Sequence, residues 1–134
     1  MSIEMKKNSQ IFQDSNNTYY PEDEQQVSSV IKELYKKNQP TELVGLGSKK
    51  FIGNKIQSAK KLSLSKLSGV EEYLPEELYI KVKANTPLEI VEKELDKNNQ
   101  ELAFEPIDFG FIKDGKSNKG TVAGHLSCNF VGSR

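Results

Sequence analysis

The stretch Glu42-Leu43-Val44-Gly45-Leu46-Gly47-Ser48-Lys49-Lys50 runs from a short apolar segment into two glycines, a hydroxyl and two lysines. Glycines let the backbone turn at positive φ and approach a ligand closely, so that successive N–H groups can gather around phosphate oxygens. Ser48 would add a hydrogen bond and Lys49 a charge. The same residues equally describe an ordinary strand-to-loop turn with solvated lysines, and the stretch alone leaves both readings open. Two familiar phosphate motifs do not fit it. The Rossmann pattern needs a third glycine where Lys50 stands, and the P-loop needs Gly-Lys-Ser/Thr at a spacing that neither glycine provides.

On the N-terminal side, Val27, Val30, Ile31, Leu34 and Tyr35 recur at the spacing of one helical face, predicting an amphipathic helix over residues 21–38. Pro21 and the acids Glu22, Asp23 and Glu24 suit its first turn, and Pro40 suits its end. Thr18, Tyr19 and Tyr20 favour extended structure before it, as do Glu42, Leu43 and Val44 after it. Strand, helix, strand and glycine turn in that order predict a βαβ unit.

On the C-terminal side, residues 51–61 read as a loop, and 62–67 alternate apolar with polar in a strand pattern closed by Ser68 and Gly69. Residues 70–74 and 78–83 flank Pro75-Glu76-Glu77 and predict two antiparallel strands, with Leu78, Ile80 and Val82 facing one way. Thr86-Pro87-Leu88-Glu89 carries a capping-box signature with proline at the first helical position. Leu88, Val91 and Leu95 continue one helical face to about Asn98, supported by a Glu89–Lys93 pair. A strand over 101–104, a turn-rich loop over 105–119 and a run of small and apolar residues over 120–132 complete the chain.

The resulting fold class is α+β. A polar segment (1–17) precedes a small parallel βαβ subdomain (18–69), followed by the start of an antiparallel-sheet subdomain (70–134). At 134 residues and 35% hydrophobic, the chain has material for one modest core. Nineteen Lys plus Arg balance nineteen Asp plus Glu, so no global field draws it to nucleic acid or an anionic membrane. One cysteine, Cys128, and one histidine, His125, exclude a disulfide framework and leave too few soft ligands for a typical zinc site. Neither a secretion signal nor a stretch of membrane-spanning length is present, so a soluble cytoplasmic protein is expected.

The second informative stretch is Gly120-Thr121-Val122-Ala123-Gly124-His125-Leu126-Ser127-Cys128-Asn129-Phe130-Val131-Gly132-Ser133-Arg134. Its small residues let a backbone lie against something flat, while Thr121, Ser127 and Asn129 offer the neutral hydrogen bonds a pocket uses for orientation. Close helix-to-strand packing is the alternative reading. Cys128 reads as a small core residue.

Taken in order, six motifs carry a resemblance. They are Tyr20-Pro21 before a helix, Gly45-Leu46-Gly47-Ser48-Lys49, Leu64-Ser65-Lys66-Leu67-Ser68-Gly69-Val70, Ala84-Asn85-Thr86-Pro87-Leu88, Leu102-Ala103-Phe104-Glu105-Pro106, and Gly120-Thr121-Val122-Ala123-Gly124 running to Gly132-Ser133-Arg134. Together they resemble the FAD-binding subunits of bacterial glycolate oxidases, with a PCMH-type FAD-binding domain of the vanillyl-alcohol oxidase superfamily.

The resemblance implies FAD, held noncovalently, between a parallel and an antiparallel subdomain. It places the pyrophosphate loop at Gly45, Leu46, Gly47, Ser48 and Lys49. Pro106 and the run containing Gly120, Thr121, Gly124, Ser127 and Asn129 would pass along the flavin and its ribityl chain. The loop that carries a flavin-linked histidine in some relatives has none here. Ala123 replaces a glycine common in the family, and His125 stands where a small or apolar residue is usual, with packing or a flavin contact as its alternative roles.

The resemblance further implies oxidation of glycolate to glyoxylate in a complex with a second FAD subunit and an iron–sulfur subunit. Any membrane contact would be peripheral, at the inner membrane through the complex. Lactate or another 2-hydroxy acid is an alternative substrate, and a non-catalytic binding or assembly module an alternative role. The rest of the FAD domain and the cap that supplies a substrate base and cation would follow Arg134. No catalytic residue is therefore assigned.

Overall fold

The computed structural model describes residues 11–129 and 131–133. Residues 1–10 of the expected polar segment, and Phe130 and Arg134 of the closing motif, lie outside the described residues.

Strands β1 (Phe12–Gln13) and β2 (Thr18–Tyr20) are joined by a turn that Asp14 closes, its carboxylate accepting from the Asn16 and Thr18 amides at 2.9 Å each. Helix α1 (Glu24–Lys36) follows. Its N-cap is Asp23, whose side chain accepts from the Gln26 amide at 2.8 Å, satisfying one N–H that a helix start leaves unpaired. The helix therefore begins at Glu24, and Pro21 is buried in the approach to it. Val30 and Leu34 are buried with Leu62, and Val27 packs against them. Ile31 and Tyr35 stay exposed, Tyr35 at 83%. The buried stripe is narrower than the periodicity predicts because the strands it covers are only two to four residues long.

Strands β3 (Thr41–Val44) and β4 (Lys60–Ser63) complete the first sheet, ordered β1-β2-β4-β3. β2 and β3 both run parallel to β4, and β1 is antiparallel to β2. The β2–α1–β3 crossover thus skips one strand position, which β4 fills, with Leu43 opposite Leu62 and Val44 opposite Ser63. The strand expected over 62–67 ends at Ser63. Leu64 to Leu67 instead turn, closed by the Leu67 amide on the Leu64 carbonyl at 2.8 Å.

Strands β5 (Val70–Leu74) and β6 (Tyr79–Val82) form the expected antiparallel hairpin around a single 3₁₀ turn at Pro75–Glu77. Leu78 departs from expectation. It takes φ +53 at the end of that turn and is 83% exposed, so it shares no face with Ile80 and Val82. Reversing the chain after a 3₁₀ turn requires a left-handed residue there, which removes Leu78 from the strand alternation.

Helix α2 (Leu88–Asp96) buries Leu88, Val91 and Leu95, as the periodicity predicts. The expected capping box does not form: Pro87 is the N-cap and no side chain caps the helix. The Thr86 hydroxyl is engaged elsewhere. It is fully buried, accepts from the Gly69 amide at 3.0 Å, and lies 2.6 Å from the Lys83 carbonyl that it donates to. At the far end, Tyr73 donates to Gln100 at 2.5 Å and Gln100 to the Pro75 carbonyl at 2.7 Å, tying the hairpin to the exit from α2.

The last quarter holds β7 (Phe104–Pro106), α3 (Phe109–Asp114), α4 (Val122–Cys128) and β8 (Val131–Ser133). β7 and β8 pair antiparallel, with Glu105 opposite Gly132. The strand lies later than the expected 101–104, and the expected loop over 105–119 contains α3. A six-residue helix is too short to display a period; Asp108 makes it by accepting from the Phe111 and Asn118 amides at 2.9 Å each. Three parallel strands followed by an antiparallel hairpin give the α+β architecture that the sequence implies.

Thr86→Val keeps the shape of this buried side chain but leaves the Gly69 amide without its acceptor. A loss of stability on the order of 2–3 kcal/mol is expected from denaturant unfolding, against a near-neutral effect for substitution of exposed Ile31.

Candidate functional site

The start of α4 docks across the segment between β6 and α2. The Val122 amide donates to the Thr86 carbonyl at 3.0 Å, Ala123 to the Ala84 carbonyl at 3.1 Å, and Gly124 to its own N-cap, the Thr121 hydroxyl, at 3.2 Å. The first donors of α4 are consumed by the protein. What the docking achieves is to bring Gly120 and Thr121 against the loop that leaves β3.

Glycines stand where these segments meet. A Cβ on Gly120, which has φ +83, would fall 2.5 Å from Ser48 Oγ and 3.5 Å from Lys49 Nζ. One on Gly45 would lie 3.1 Å from Asn85 Oδ1 and 3.4 Å from Thr121 Oγ1, and one on Gly124 would lie 3.8 Å from Lys49 Nζ. Between the segments opens a cavity of about 560 Å³. That is within the range of about 300–1,000 Å³ usual for small-molecule sites.

Two properties of the β3 loop give this cavity its character. Among the described residues, the amides of Leu46, Gly47, Ser48 and Lys49 donate to no protein group. The chain first turns back on itself with Lys50 N–H to the Gly47 carbonyl at 3.3 Å. Lys49 is a partly buried cation with no carboxylate within 4 Å among the described residues. Its ammonium sits 5.0 Å from the centroid of the Phe109 ring. Neighbouring Lys50, by contrast, pairs with Glu42 at 3.4 Å. Burial pulls the Lys49 pKa below the ordinary lysine value, with the Cys128 sulfur opposing the shift. A partly buried ammonium and four unpaired amides on residues that line one cavity suit an anion there.

Behind the cavity lies His125, 1% exposed on α4. Its Nε2–H donates to the Lys119 carbonyl, which leaves Nδ1 unprotonated and without a partner among the described residues. The Lys119 ammonium is held by Glu92 at 2.7 Å, and the Gly120 carbonyl accepts from the Leu88 amide at 3.0 Å. His125 therefore fixes the Lys119–Gly120 peptide against which Ser48 and Lys49 pack, and it does not line the cavity. Burial depresses its pKa; the Lys119 carbonyl opposes the shift and the Lys49 charge adds to it.

Of the residues that the sequence singles out, Gly45, Leu46, Gly47, Ser48, Lys49, Thr121, Gly124 and Ser127 line this one cavity, and Gly120 backs it. Pro106 pairs with Val131 in the β7–β8 ladder, and Asn129 is the exposed left-handed C-cap of α4; neither lines the cavity. Cys128 corrects the core assignment: it is exposed and lines the cavity, because the buried side of this short helix is carried by His125. Asn85 also lines it; the sequence places it in the motif Ala84-Asn85-Thr86-Pro87-Leu88, just ahead of the helix-start signature, and does not mark it as a site residue.

A family model for the FAD binding domain matches residues 16–134. The chain belongs to the FAD binding domain family. No curated protein and no solved structure matches the chain significantly. The residues present fit FAD. In this FAD binding domain, unpaired amides and Lys49 suit a diphosphate, Thr121 and Ser127 supply neutral hydrogen bonds, and Leu46, Ile52 and Ile56 give apolar surface for rings.

Gly120→Ala places a methyl group against Ser48 Oγ at a left-handed φ. A destabilisation of about 1–3 kcal/mol is expected. Adding Ser48→Gly removes the clash but not the backbone strain, so calorimetric melting of the double variant is expected to recover only part of the loss.

His125 also gives a pH signature. Its folded pKa lies below the unfolded value of about 6.5, so the unfolded chain binds the proton first as pH falls. Its stabilising contribution is complete above that value and is lost as pH drops through the folded pKa. Urea midpoints are expected to fall between pH 7 and 5 for the wild type and to vary less for His125→Gln.

Proposed function

We propose that this chain binds FAD noncovalently as part of a flavoprotein subunit, with the diphosphate on the loop from Gly45 to Lys49. The observation that carries the reading is the partly buried Lys49 ammonium, which lacks a carboxylate partner among the described residues and lies beside the unpaired amides of residues 46–49. A partly buried ammonium without a carboxylate partner is available to an anion entering the cavity, and a diphosphate supplies one. Noncovalent attachment is favoured because the single histidine is turned away from the cavity onto the Lys119 carbonyl.

The enzyme we infer is a glycolate oxidase or dehydrogenase that forms glyoxylate. It would be assembled with a second FAD subunit and an iron–sulfur subunit, and would be cytoplasmic with any membrane contact peripheral. What supports this is the ordered set of six motifs, from Tyr20-Pro21 to Gly132-Ser133-Arg134. Bound FAD supplies a ring that accepts a hydride. This chain's residues contribute binding and orientation: amides and Lys49 at the phosphates, Thr121 and Ser127 for neutral hydrogen bonds, and His125 and Gly120 as the rigid backing.

Lys49→Met separates function from stability. Removing an unpaired, partly desolvated cation is expected to leave melting unchanged or raised, while FAD affinity falls on the order of tenfold or more. Cys128 serves as the reporter, since it lines the same cavity. FAD is expected to slow its alkylation by iodoacetamide in the wild type, with a higher concentration needed in Lys49→Met. Absence of flavin binding by the wild type, or equal protection in both proteins, would count against the reading.

A further inference from the structure

Asn85 stands in the turn of residues 83–86 that links the hairpin to α2, and its backbone is held on every side. Its amide donates to the Leu67 carbonyl at 2.8 Å and the Thr86 amide to the Lys83 carbonyl at 3.0 Å. The carbonyls of Ala84 and Thr86 accept from Ala123 and Val122 of α4. The side chain is different. It is 6% exposed and lines the cavity, and its carboxamide makes no hydrogen bond among the described residues. Its Oδ1 lies 3.1 Å from the position a Cβ on Gly45 would take, beside the Thr121 hydroxyl. Its polar atoms are not shut away from solvent but open to the cavity, so they are available to a ligand that enters it. The glycine at 45 keeps the space between the carboxamide and the phosphate-binding loop clear.

We propose that Asn85 is a ligand-binding residue of this cavity, its carboxamide N–H donating to a phosphate oxygen held from the other side by the amides of residues 46–49. The proposal rests on the assignment of the cavity to the FAD diphosphate. The two ends of a carboxamide exchange by a half-turn without change of shape, so the donor reaches the same space that Oδ1 faces. A neutral donor on a fixed turn, opposite the mobile charge of a lysine, defines the direction in which the diphosphate lies. Lys49 alone, as a point charge, does not.

The test is calorimetric titration of the 134-residue chain with FAD and with ADP, comparing wild type, Asn85→Leu and Asn85→Asp. In Asn85→Leu, both ligands are expected to bind roughly 10- to 100-fold more weakly, with melting unchanged or raised. Asn85→Asp retains the size but sets a carboxylate against phosphate, so a larger loss is expected, partly relieved by salt. Should the leucine variant fail to fold, the aspartate variant decides. Wild-type affinity for FAD and ADP in a folded Asn85 variant overturns the proposal while leaving the assignment of the cavity intact. A wild type that binds neither ligand overturns the assignment of the cavity, and the proposal with it.

Discussion

The architecture of the site depends on one close approach, that of Gly120 and Thr121 to the loop leaving β3, with a glycine on one side of each contact: Gly120 against Ser48 and Gly45 against Thr121. Ser48 Oγ occupies the place where a side chain at 120 would begin, and Lys49 Nζ lies beside it. Two sets of hydrogen bonds enforce that approach. The start of α4 is bonded to the carbonyls of Ala84 and Thr86, and the Lys119–Gly120 segment is fixed by His125, Glu92 and Leu88. The parallel and antiparallel halves of the chain are thereby joined at the point where the cavity opens.

This arrangement separates rigid from reactive parts. The donors that a helix start would offer to an anion are used internally at α4, whereas the four loop amides of residues 46–49 remain unpaired among the described residues. That division suits an anion without a Rossmann helix: the irregular loop leaves backbone donors free, a partly buried lysine carries the charge, and the helix behind gives stiffness. His125 belongs to the stiff part. It is neutral and buried, and its proton is committed to a main-chain carbonyl.

Much of the fold was legible in the sequence where a period had room to show itself. Helix α1 announces its buried row through Val27, Val30 and Leu34, and α2 through Leu88, Val91 and Leu95; the hairpin is readable from turn residues between two apolar runs. Elements too short for a period were not readable. Six residues of α3 and seven of α4 sit in a stretch dominated by glycine, lysine and small residues, and their caps, Asp108 and Thr121, look like ordinary loop residues. Thr86 misled for a related reason. A capping signature is local, but its hydroxyl was taken by the Lys83 carbonyl three residues back and by Gly69, which only the hairpin brings near.

The sequence by itself determined the chemical identity of the loop: glycines at 45 and 47, a serine and two lysines after a short apolar run. It could not determine which lysine is free. Lys49 and Lys50 are adjacent and chemically identical, and they are distinguished because Glu42 on β3 reaches one of them while burial against Phe109 isolates the other. Nor could it distinguish Asn85 and Cys128, which line the cavity, from Pro106 and Asn129, which do not. Such distinctions arise from the packing of segments far apart in the chain. Charge pairing and burial are properties of neighbours in space, and tertiary structure alone supplies those neighbours.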